Sequence, residues 1–524
     1  MDKGAIAAGA PATAAAGAAL LARGGNAVDA AVAGAFASFV AEATIVNIGG
    51  SGIGLVVDRA ENRHVTYDFF SDMPSGTMHA AADFRAVVID FGTEQQPFHI
   101  GRASVAVPGA VAGLCAMAEA HGTLPLSQLL EPAIELADKG APLSSGQTYA
   151  YQILQPIYRD TPELAALYLP RDRQLTEGEL MRFPALGRSL RRLALEGPDL
   201  FYRGDLAQAI VCDQVQHGGL LMAEDLDAYQ VHACPPIEIE YRDHTILLPP
   251  PASSGGALIA FALKLLVGWN PGTMAHNSLP HLRLLTEVMR LTNVARSHWD
   301  SIGDEQDGVA RFLDDEHVKP FARRLTDIMA GAAPPFNPPE SEGPNDTTHI
   351  SVVDGQGNLA SITTSAGENA GFVVGDTGIC LNNMLGESDL HPNGFHNLAP
   401  GRRLSTMMTP TIVMRGGEPV LAVGSGGSSR IRSAILQVLS NMIDFQLPIE
   451  IAINSPRIHY EAQRLQAEGG IAAPVTADLE RLGYQVNRWP GSNMYFGGAH
   501  AVAYVNGHPV PAGDARRGGS VALV

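Results

Sequence analysis

Cysteine is scarce in this chain, and its four cysteines stand far apart. They are Cys115, Cys212, Cys234 and Cys380, and none belongs to a CxxC pair or to a Cys/His cluster at metal-ligand spacing. A disulfide scaffold or a structural zinc site normally shows one of these patterns. The 17 histidines include no HExxH sequence either. We therefore expect no metal, no disulfide framework and no cofactor.

Positive charge is also scarce. Lysine and arginine number 35 against 54 aspartates and glutamates, which gives a formal net charge of −19. Basic residues cluster no more densely than pairs such as Arg323-Arg324 and Arg516-Arg517. A nucleic-acid-binding surface needs a basic patch, so we expect no nucleic-acid partner.

The chain has no long, strongly hydrophobic run. Residues 4–22 are uncharged and follow Lys3, but alanine and glycine supply most of their apolar content. Such a run is too weakly hydrophobic for a secretory core or a membrane span. It leads into Gly24-Gly25-Asn26, which predicts a helix, a break, and a second helix capped by Asn26. We expect an N-terminus that belongs to the fold, no membrane partner and a cytoplasmic location.

Several common catalytic and nucleotide-binding motifs are missing as well. There is no GxSxG, which argues against a serine enzyme of the α/β-hydrolase type. There is no Walker lysine and no GxGxxG, which argues against nucleotide binding. Any catalytic machinery must therefore be sought in other patterns.

At 524 residues and 46% hydrophobic content, the chain is long enough for one large α/β body or for several average domains. Alternating helical and β-like patterns predict the α/β class. We expect helices over residues 26–42 and 281–297, a mainly helical region over 108–220, paired strands over 53–58 and 64–70, and a strand over 241–248.

Residues 331–346 form the clearest linker in the sequence. Five prolines and two glycines within them oppose regular structure. A flexible segment just before Thr347 is what a cleavage site between Asp346 and Thr347 needs. Any exposed interdomain linker has the same composition, so the segment alone does not decide between the two.

A hairpin follows this linker. Residues 349–354 alternate as a strand, residues 354–358 carry turn residues, and residues 359–365 read as the returning strand. A turn centred on Gln356 places Thr347 opposite Ser365 on the same face. A hydroxyl in that position can hold the Thr347 side chain in one rotamer, although a Thr–Ser pair is also ordinary cross-strand packing. A free α-amino group on Thr347 would supply the base that a threonine nucleophile needs.

The glycine-rich stretch Gly424-Ser425-Gly426-Gly427-Ser428-Ser429-Arg430 is the best candidate for an oxyanion hole. It lies between an apolar strand pattern and a helical pattern. A turn from strand to helix presents backbone N–H groups and the positive end of a helix dipole. Such turns also bind phosphate, so the motif by itself is not specific.

Several segments together resemble the γ-glutamyltranspeptidase family. They are residues 24–31 (GGNAVDAA), 48–50 (IGG), 107–113 (VPGAVAG), 347–354 (TTHISVVD), 382–383 (NN), 404–410 (LSTMMTP), 424–430 (GSGGSSR) and 514–519 (DARRGG). The resemblance covers essentially the whole chain. It implies a four-layer αββα sandwich of the N-terminal-nucleophile hydrolase type. It also implies self-cleavage between Asp346 and Thr347, into a large subunit (1–346) and a small subunit (347–524) that form one globular heterodimer.

The same resemblance implies catalytic roles. Thr347 matches the nucleophile, whose freed amine acts as the base. Ser365 stands where the family has an assisting threonine. Gly427 and Ser428 match two glycines that donate backbone N–H groups to the oxyanion, and Ser428 keeps that N–H group.

The residues that would bind a glutamyl donor depart from the family pattern. Ser405 and Thr406 match a pair of serines that holds the donor's α-carboxylate, but Phe70 stands where the donor-binding arginine is expected. Three further replacements are Gly367 for an asparagine, Met384 for a glutamine and Glu387 for the aspartate that binds the α-amino group. A bidentate arginine is a strong carboxylate ligand that phenylalanine cannot replace.

These patterns predict that the chemistry is kept while the substrate differs. The first hypothesis is a self-processing threonine amidohydrolase that cleaves a small-molecule amide other than, or broader than, glutathione. A second is a true γ-glutamyl hydrolase or transferase with a rebuilt donor site, in which Arg102 and Glu387 take part. A third is an inactive homologue that only binds ligands. A surface arginine is the simpler account of Arg102, and further homo-oligomerisation stays open.

Overall fold

The computed structural model describes residues 3–90, 95–303, 305–331, 347–391 and 394–524. The strands are β1 (Gly4–Ala8), β2 (Ser51–Asp58), β3 (Arg63–Phe69), β4 (Arg85–Asp90), β5 (Gln95–Ile100), β6 (Ala141–Pro142), β7 (Leu180–Met181), β8 (His232–Cys234), β9 (Ile237–Tyr241), β10 (His244–Leu248), β11 (Thr348–Asp354), β12 (Leu359–Ser365), β13 (Val373–Val374), β14 (Ile379–Cys380), β15 (Thr411–Arg415), β16 (Glu418–Gly426), β17 (Ile458–Glu461), β18 (Arg464–Ala467), β19 (Gln485–Arg488), β20 (Gly498–Val505), β21 (His508–Ala512) and β22 (Ser520–Leu523).

The helices alternate with these strands along the chain. They are α1 (Pro11–Ala22), α2 (Ala27–Ala41), α3 (Ala110–His121), α4 (Leu126–Lys139), α5 (Ser145–Ile153), α6 (Gln155–Tyr158), α7 (Pro162–Tyr168), α8 (Pro184–Glu196), α9 (Asp199–Tyr202), α10 (Asp205–Gln216), α11 (Ala223–Ala228), α12 (Ser254–Leu266), α13 (Leu279–Ile302), α14 (Gly308–Leu313), α15 (Asp315–Met329), α16 (Arg430–Ile443), α17 (Ile449–Asn454) and α18 (Ala473–Arg481).

Two large sheets form the centre of the molecule. The first has seven strands in the order β22-β1-β11-β12-β2-β3-β8, and the second has six in the order β21-β20-β16-β15-β10-β9. The sheets pack face to face through a largely apolar layer that includes Ala5, Leu55, Val353, Ile412 and Val502. Burying such a layer removes apolar surface from water, and this provides the main driving force that holds the two sheets together.

A layer of helices covers the outer face of each sheet. One core joins the seven-stranded sheet to α1–α4 and the helices that follow them. The other joins the six-stranded sheet to α12, α13 and α16. The result is the four-layer αββα sandwich that the sequence predicts.

Helix α2 shows how the sequence builds the inner part of one helix layer. All of its residues, Ala27–Ala41, are buried, so small alanines allow it to pack closely on several sides. Asn26 caps it by accepting hydrogen bonds from the backbone N–H groups of Val28 and Asp29. The Asp29 carboxylate accepts from the Asn26 N–H in return, which completes a capping box.

The helix predicted before Gly24-Gly25 is confirmed as α1 (Pro11–Ala22), but a strand precedes it. Residues 4–8 are not helical but form the buried strand β1, which lies between β22 and β11. The helix begins only at Pro11. Alanine favours helices in isolation, but here the hydrogen bonds of two neighbouring strands determine the conformation. Likewise, Tyr241 ends β9, and the predicted strand begins at His244 after a turn.

The other predicted elements are confirmed within the described residues. Strands β2 and β3 pair, residues 108–220 are mainly helical, and α13 includes the predicted helix 281–297. The predicted linker from residue 332 onwards, including Asp346, lies outside the described residues. No helix in the described part of the chain is both long and apolar enough to cross a membrane.

Candidate active site

Thr347 lies immediately before strand β11, at its buried end. Thr348 pairs with Thr364 and His349 with Thr363, which is the register that a turn centred on Gln356 predicts. Thr347 is only 2% exposed. Strand β12 continues this register as far as Ser365, so Thr347 and Ser365 stand at the same end of the hairpin.

The backbone of Thr347 is held by Arg517 and closely approached by Gly426 of strand β16. The guanidinium of Arg517 donates a hydrogen bond of 3.3 Å to the carbonyl oxygen of Thr347. At Gly426 a Cβ atom would lie 2.1 Å from that same oxygen, so only glycine permits this approach. Arg517 was not predicted from the sequence as a site residue, although it belongs to the C-terminal motif of residues 514–519.

The glycine-rich stretch forms the predicted turn between β16 and α16. Gly427 has a φ of +114° and Ser428 a φ of +48°. A positive φ is costly for a serine, since its Cβ crowds the backbone in the left-handed region. Such conformations occur at functional sites, where the surrounding structure maintains them. The turn leads directly into the N-terminus of α16, a favourable position for negative charge.

Thr347 lies in a small pocket of about 20 Å³ that gathers most of the predicted site residues. The lining consists of Phe70, Thr347, Ser365, Met384, Glu387, Leu390, Thr406, Met407, Met408, Ser428 and Ile431. Four of these, namely Leu390, Met407, Met408 and Ile431, were not predicted from the sequence. No charge or polar motif marks an apolar lining residue in a sequence, and only the fold brings these residues together.

The pocket wall is apolar around Phe70. This side chain is 1% exposed and belongs to a cluster with Ile53, Met73, Met384 and Met408. Among the described residues that line the pocket, none is an arginine, lysine or histidine. The pocket therefore contains a carboxyl group, that of Glu387, but no basic side chain.

Glu387 and Gly367 depart from the family pattern together, and the structure gives a steric reason. A Cβ at Gly367 would lie 1.9 Å from Oε1 of Glu387 and 2.2 Å from Oδ1 of Asn383. Gly367 also has a φ of +63°, which favours glycine. The longer carboxylic side chain at position 387 thus occupies space that any side chain at position 367 would need.

Arg102 is not among the residues that line this pocket. Its Nε donates to the carboxylate of Asp213 at 3.0 Å, and its guanidinium lies 4.0 Å above the ring of Phe372. Asp83 accepts from its backbone N–H. These contacts account for Arg102 as a structural residue, and it contributes no cation to the described lining of the pocket.

A cleft of about 930 Å³ adjoins the pocket and shares Leu390, Thr406 and Met407 with it. Ser405 lines this cleft, where its hydroxyl lies 2.7 Å from that of Ser254. The described lining of the cleft includes the arginines Arg296, Arg402 and Arg403 and the histidines His232 and His391. The cleft has room for a group much larger than the pocket can hold.

Arg403 is held by acidic neighbours. It pairs with Asp68 at 3.0 Å and with Asp72 at 2.6 Å, and it lies 5.1 Å above the ring of Tyr229. A guanidinium with two carboxylate partners has little positive charge left to attract a third anion. The cleft therefore does not present Arg403 as a free substitute for the missing arginine at position 70.

Comparisons with known proteins agree with this geometry. The family described as Gamma-glutamyltranspeptidase matches residues 13–524. The Acylase ACY 1 proenzyme of Pseudomonas sp. (strain V22) is 33% identical over 505 residues, covering 94% of this chain and 88% of that protein. The Glutathione hydrolase proenzyme of Pseudomonas aeruginosa is 31% identical over 551 residues, covering 100% and 95%.

A solved structure extends the similarity to three dimensions. The cephalosporin acylase from Bacillus halodurans superposes with a TM-score of 0.85 at 25% identity, covering 99% of this chain and 96% of that one. Sequence and fold thus agree over nearly the full length. The chain belongs to the γ-glutamyltranspeptidase family of N-terminal-nucleophile hydrolases.

Proposed function

We propose that this protein is a self-processing amide hydrolase that uses Thr347 as its nucleophile and does not depend on an α-carboxylate in its donor. The observation that carries the proposal is the composition of the pocket around Thr347. Ser365 and Ser428 lie in the same lining, beside the apolar wall formed by Phe70 and Met384. The described lining thus combines candidate catalytic residues with an acyl site that has no basic side chain for a carboxylate.

In the proposed reaction, the Thr347 hydroxyl attacks the amide carbonyl carbon of the substrate while the freed α-amino group accepts its proton. The N–H groups of the turn at Gly427 and Ser428 stabilise the negative oxygen of the tetrahedral intermediate. The amine leaves with the proton, and an ester between the acyl group and Thr347 remains. Water then attacks this ester, which releases the acid and restores the threonine.

The arrangement of strands supports self-cleavage before Thr347. The proposed large subunit (1–346) contributes β1, β2, β3 and β8 to the first sheet, and the small subunit (347–524) contributes β11, β12 and β22. Both subunits also contribute to the second sheet. A cut at this point leaves the shared core intact, so the fragments would remain associated as a heterodimer. The proenzyme names of the relatives agree with such a cut.

Phe70 and Glu387 support a donor without an α-carboxylate. A donor carboxylate placed in the pocket would meet the carboxyl group of Glu387 and no basic side chain of the lining. Losing one charged hydrogen-bonding partner costs about 2–4 kcal/mol, or roughly 30- to 1,000-fold in kcat/KM. The large adjoining cleft would hold the amine half of the substrate.

Glu387 also favours a second candidate function. Its carboxyl group lines the pocket, so it could bind the α-amino group of a γ-glutamyl donor even though the arginine is missing. The protein would then be a γ-glutamyl hydrolase or transferase that recognises its donor mainly through the amine. The two candidates differ in how the donor's two charged groups affect the rate.

One experiment separates these candidates. Purified protein is first analysed by intact mass, and then four 4-nitroanilides are compared by kcat/KM: γ-glutamyl, glutaryl, 4-aminobutyryl and butyryl. They carry both, only the carboxylate, only the amine, or neither of the charged groups. The proposal expects fragments 1–346 and 347–524, and the donors that carry a carboxylate should be the slowest. A roughly hundredfold preference for γ-glutamyl over glutaryl, with 4-aminobutyryl as fast as γ-glutamyl, would establish the second candidate instead, because that comparison isolates the donor amine. A folded chain that stays uncut would indicate an inactive homologue.

A further inference from the structure

Glu42 has an unusual environment for a carboxylic side chain. It follows the last residue of α2 and is 0% exposed. Its carboxyl group accepts a hydrogen bond of 2.6 Å from the Thr13 hydroxyl and another from the Thr348 hydroxyl. A buried carboxyl group without such partners would be costly, so these two hydroxyls make its position tolerable.

Thr348 connects Glu42 to the nucleophile. Successive residues of a strand point to opposite faces of the sheet. Thr348 therefore points toward the helices and Glu42, while Thr347 lines the pocket. A contact that fixes Thr348 restricts the peptide that joins it to Thr347, and hence the direction of the Thr347 side chain.

Two glycines allow this arrangement. At Gly9 a Cβ would lie 2.2 Å from Oε2 of Glu42 and 2.7 Å from the Thr348 hydroxyl oxygen. At Gly426 a Cβ would collide with the Thr347 carbonyl, which is the acceptor for Arg517. The start of β11 is thus held at two points, since Glu42 binds the Thr348 hydroxyl and Arg517 binds the Thr347 carbonyl.

The charges around Glu42 are few. The groups that contact it from α1 and β11 are the uncharged hydroxyls of Thr13 and Thr348, and the backbone of Gly9 faces it after β1. Among the described residues, Arg517 supplies the opposing charge. Burial raises the pKa of Glu42 to about 7, while the two hydroxyls and Arg517 lower it.

We propose that Glu42 is a positioning residue, which orients the nucleophile by holding the Thr348 hydroxyl while Arg517 holds the Thr347 carbonyl. This inference rests on the proposed function. After the proposed cut, Thr347 is a chain end, and chain ends fray unless they are tied down. Glu42 lies in the large subunit and Thr348 in the small one, so the contact ties the new N-terminus to the other subunit.

The test compares Glu42→Gln, Thr348→Val, Thr348→Ser and the Glu42→Gln/Thr348→Val double variant with wild type. Self-cleavage is followed by intact mass, and kcat and KM are measured on the fastest anilide with fully cleaved protein. We expect Glu42→Gln and Thr348→Val to lower kcat by roughly 10- to 100-fold with little change in KM, since misplacing a reacting group acts on the chemical step. Thr348→Ser should keep most activity because it keeps the hydroxyl.

The double variant gives the decisive comparison. If Glu42 acts through Thr348, the double variant is no slower than the slower single variant. Thr13→Val is the matched control, because it removes the other hydrogen bond to Glu42 and leaves the contact with Thr348. The acidic limb of the pH profile of kcat should move in Glu42→Gln, whereas Thr13→Val should keep the maximal kcat close to that of wild type because the contact between Glu42 and Thr348 remains.

Three outcomes would overturn the inference: effects that multiply in the double variant, a change confined to KM, or a Thr348→Val enzyme as fast as Thr348→Ser. Even if Glu42→Gln does not fold, the comparison of Thr348→Val with Thr348→Ser still tests the inference. Failure of the proposed function would look different, because wild type itself would then neither cleave nor turn over any of the four anilides.

Discussion

Glu42 should make the stability of the fold depend on pH in a way that a single substitution removes. In the folded protein the pKa of Glu42 is raised by burial from its ordinary 4.5 to about 7. The folded state therefore holds a proton on this group at pH values where the unfolded chain has lost it. Its stabilising contribution is full below the unfolded pKa and is lost as pH rises through about 7.

The size of the effect follows from the shift. Each pKa unit corresponds to about 1.4 kcal/mol, and linkage over the interval from pH 5 to pH 8 gives a loss of about 2 to 3 kcal/mol from this one group. Glu42→Gln removes the titration. The free energy of unfolding of the glutamine variant, relative to its parent, should therefore rise by about 2 to 3 kcal/mol between pH 5 and pH 8.

Denaturant unfolding at several pH values measures this difference. Thr347→Ala is the suitable parent, because it is expected to stay a single chain and so avoids separation of the subunits during unfolding. Glu61→Gln, at an exposed position, is the matched control and should leave the pH dependence unchanged. If the relative stability of Glu42→Gln is the same at pH 5 and pH 8 within about 0.5 kcal/mol, the carboxyl does not titrate in this range and the reasoning fails.

Three further predictions concern activity. Ser428→Gly should keep kcat within about threefold, because the backbone N–H group of residue 428, and not its hydroxyl, stabilises the oxyanion. Gly427→Ala should lower kcat by roughly 100-fold, because residue 427 has a φ of +114°. Phe70→Arg should raise kcat/KM for γ-glutamyl relative to 4-aminobutyryl anilide by at least about tenfold, and an unchanged ratio would show that position 70 does not face the donor. The acidic limb of the pH–activity profile should have an apparent pKa at or below about 8, which is the pKa of a free α-amino group. Chelators should have no effect on activity. Loss of activity on chelation that a divalent ion restores would contradict the threonine mechanism.

The hairpin around Gln356 could be predicted in detail because the residues that determine it are close together in the sequence. The turn residues fix where the chain reverses, and the alternation of apolar residues fixes which face each residue takes. The pairing of Thr348 with Thr364 follows from these two signals alone. The turn at Gly427 could also be predicted from local residues, because consecutive glycines between a strand pattern and a helix pattern indicate a tight turn.

Other parts could not be predicted because their partners are distant in sequence. Strand β1 consists of small residues whose intrinsic preference is helical, and its neighbour β11 lies more than three hundred residues away. Glu42 and Thr348 are 306 residues apart, so nothing near either one reveals the contact. The surroundings of Arg102 could not be predicted either, because a lone arginine in a sequence shows its charge but not the carboxylates that neutralise it.

The interleaving of strands in the two sheets has a consequence for the life of the molecule. Strand β1 lies between two strands of the proposed small subunit, β11 and β22. Before the proposed cut, the chain would fold at a rate that does not depend on concentration, since every partner is on the same polypeptide. After it, the same sheets can be rebuilt only by collision of two separate fragments, each with unpaired strand edges prone to wrong partners. Dilution would slow the reassociation of the two fragments. A cleaved molecule that unfolds would therefore rarely refold, and its lifetime would be set by its unfolding rate.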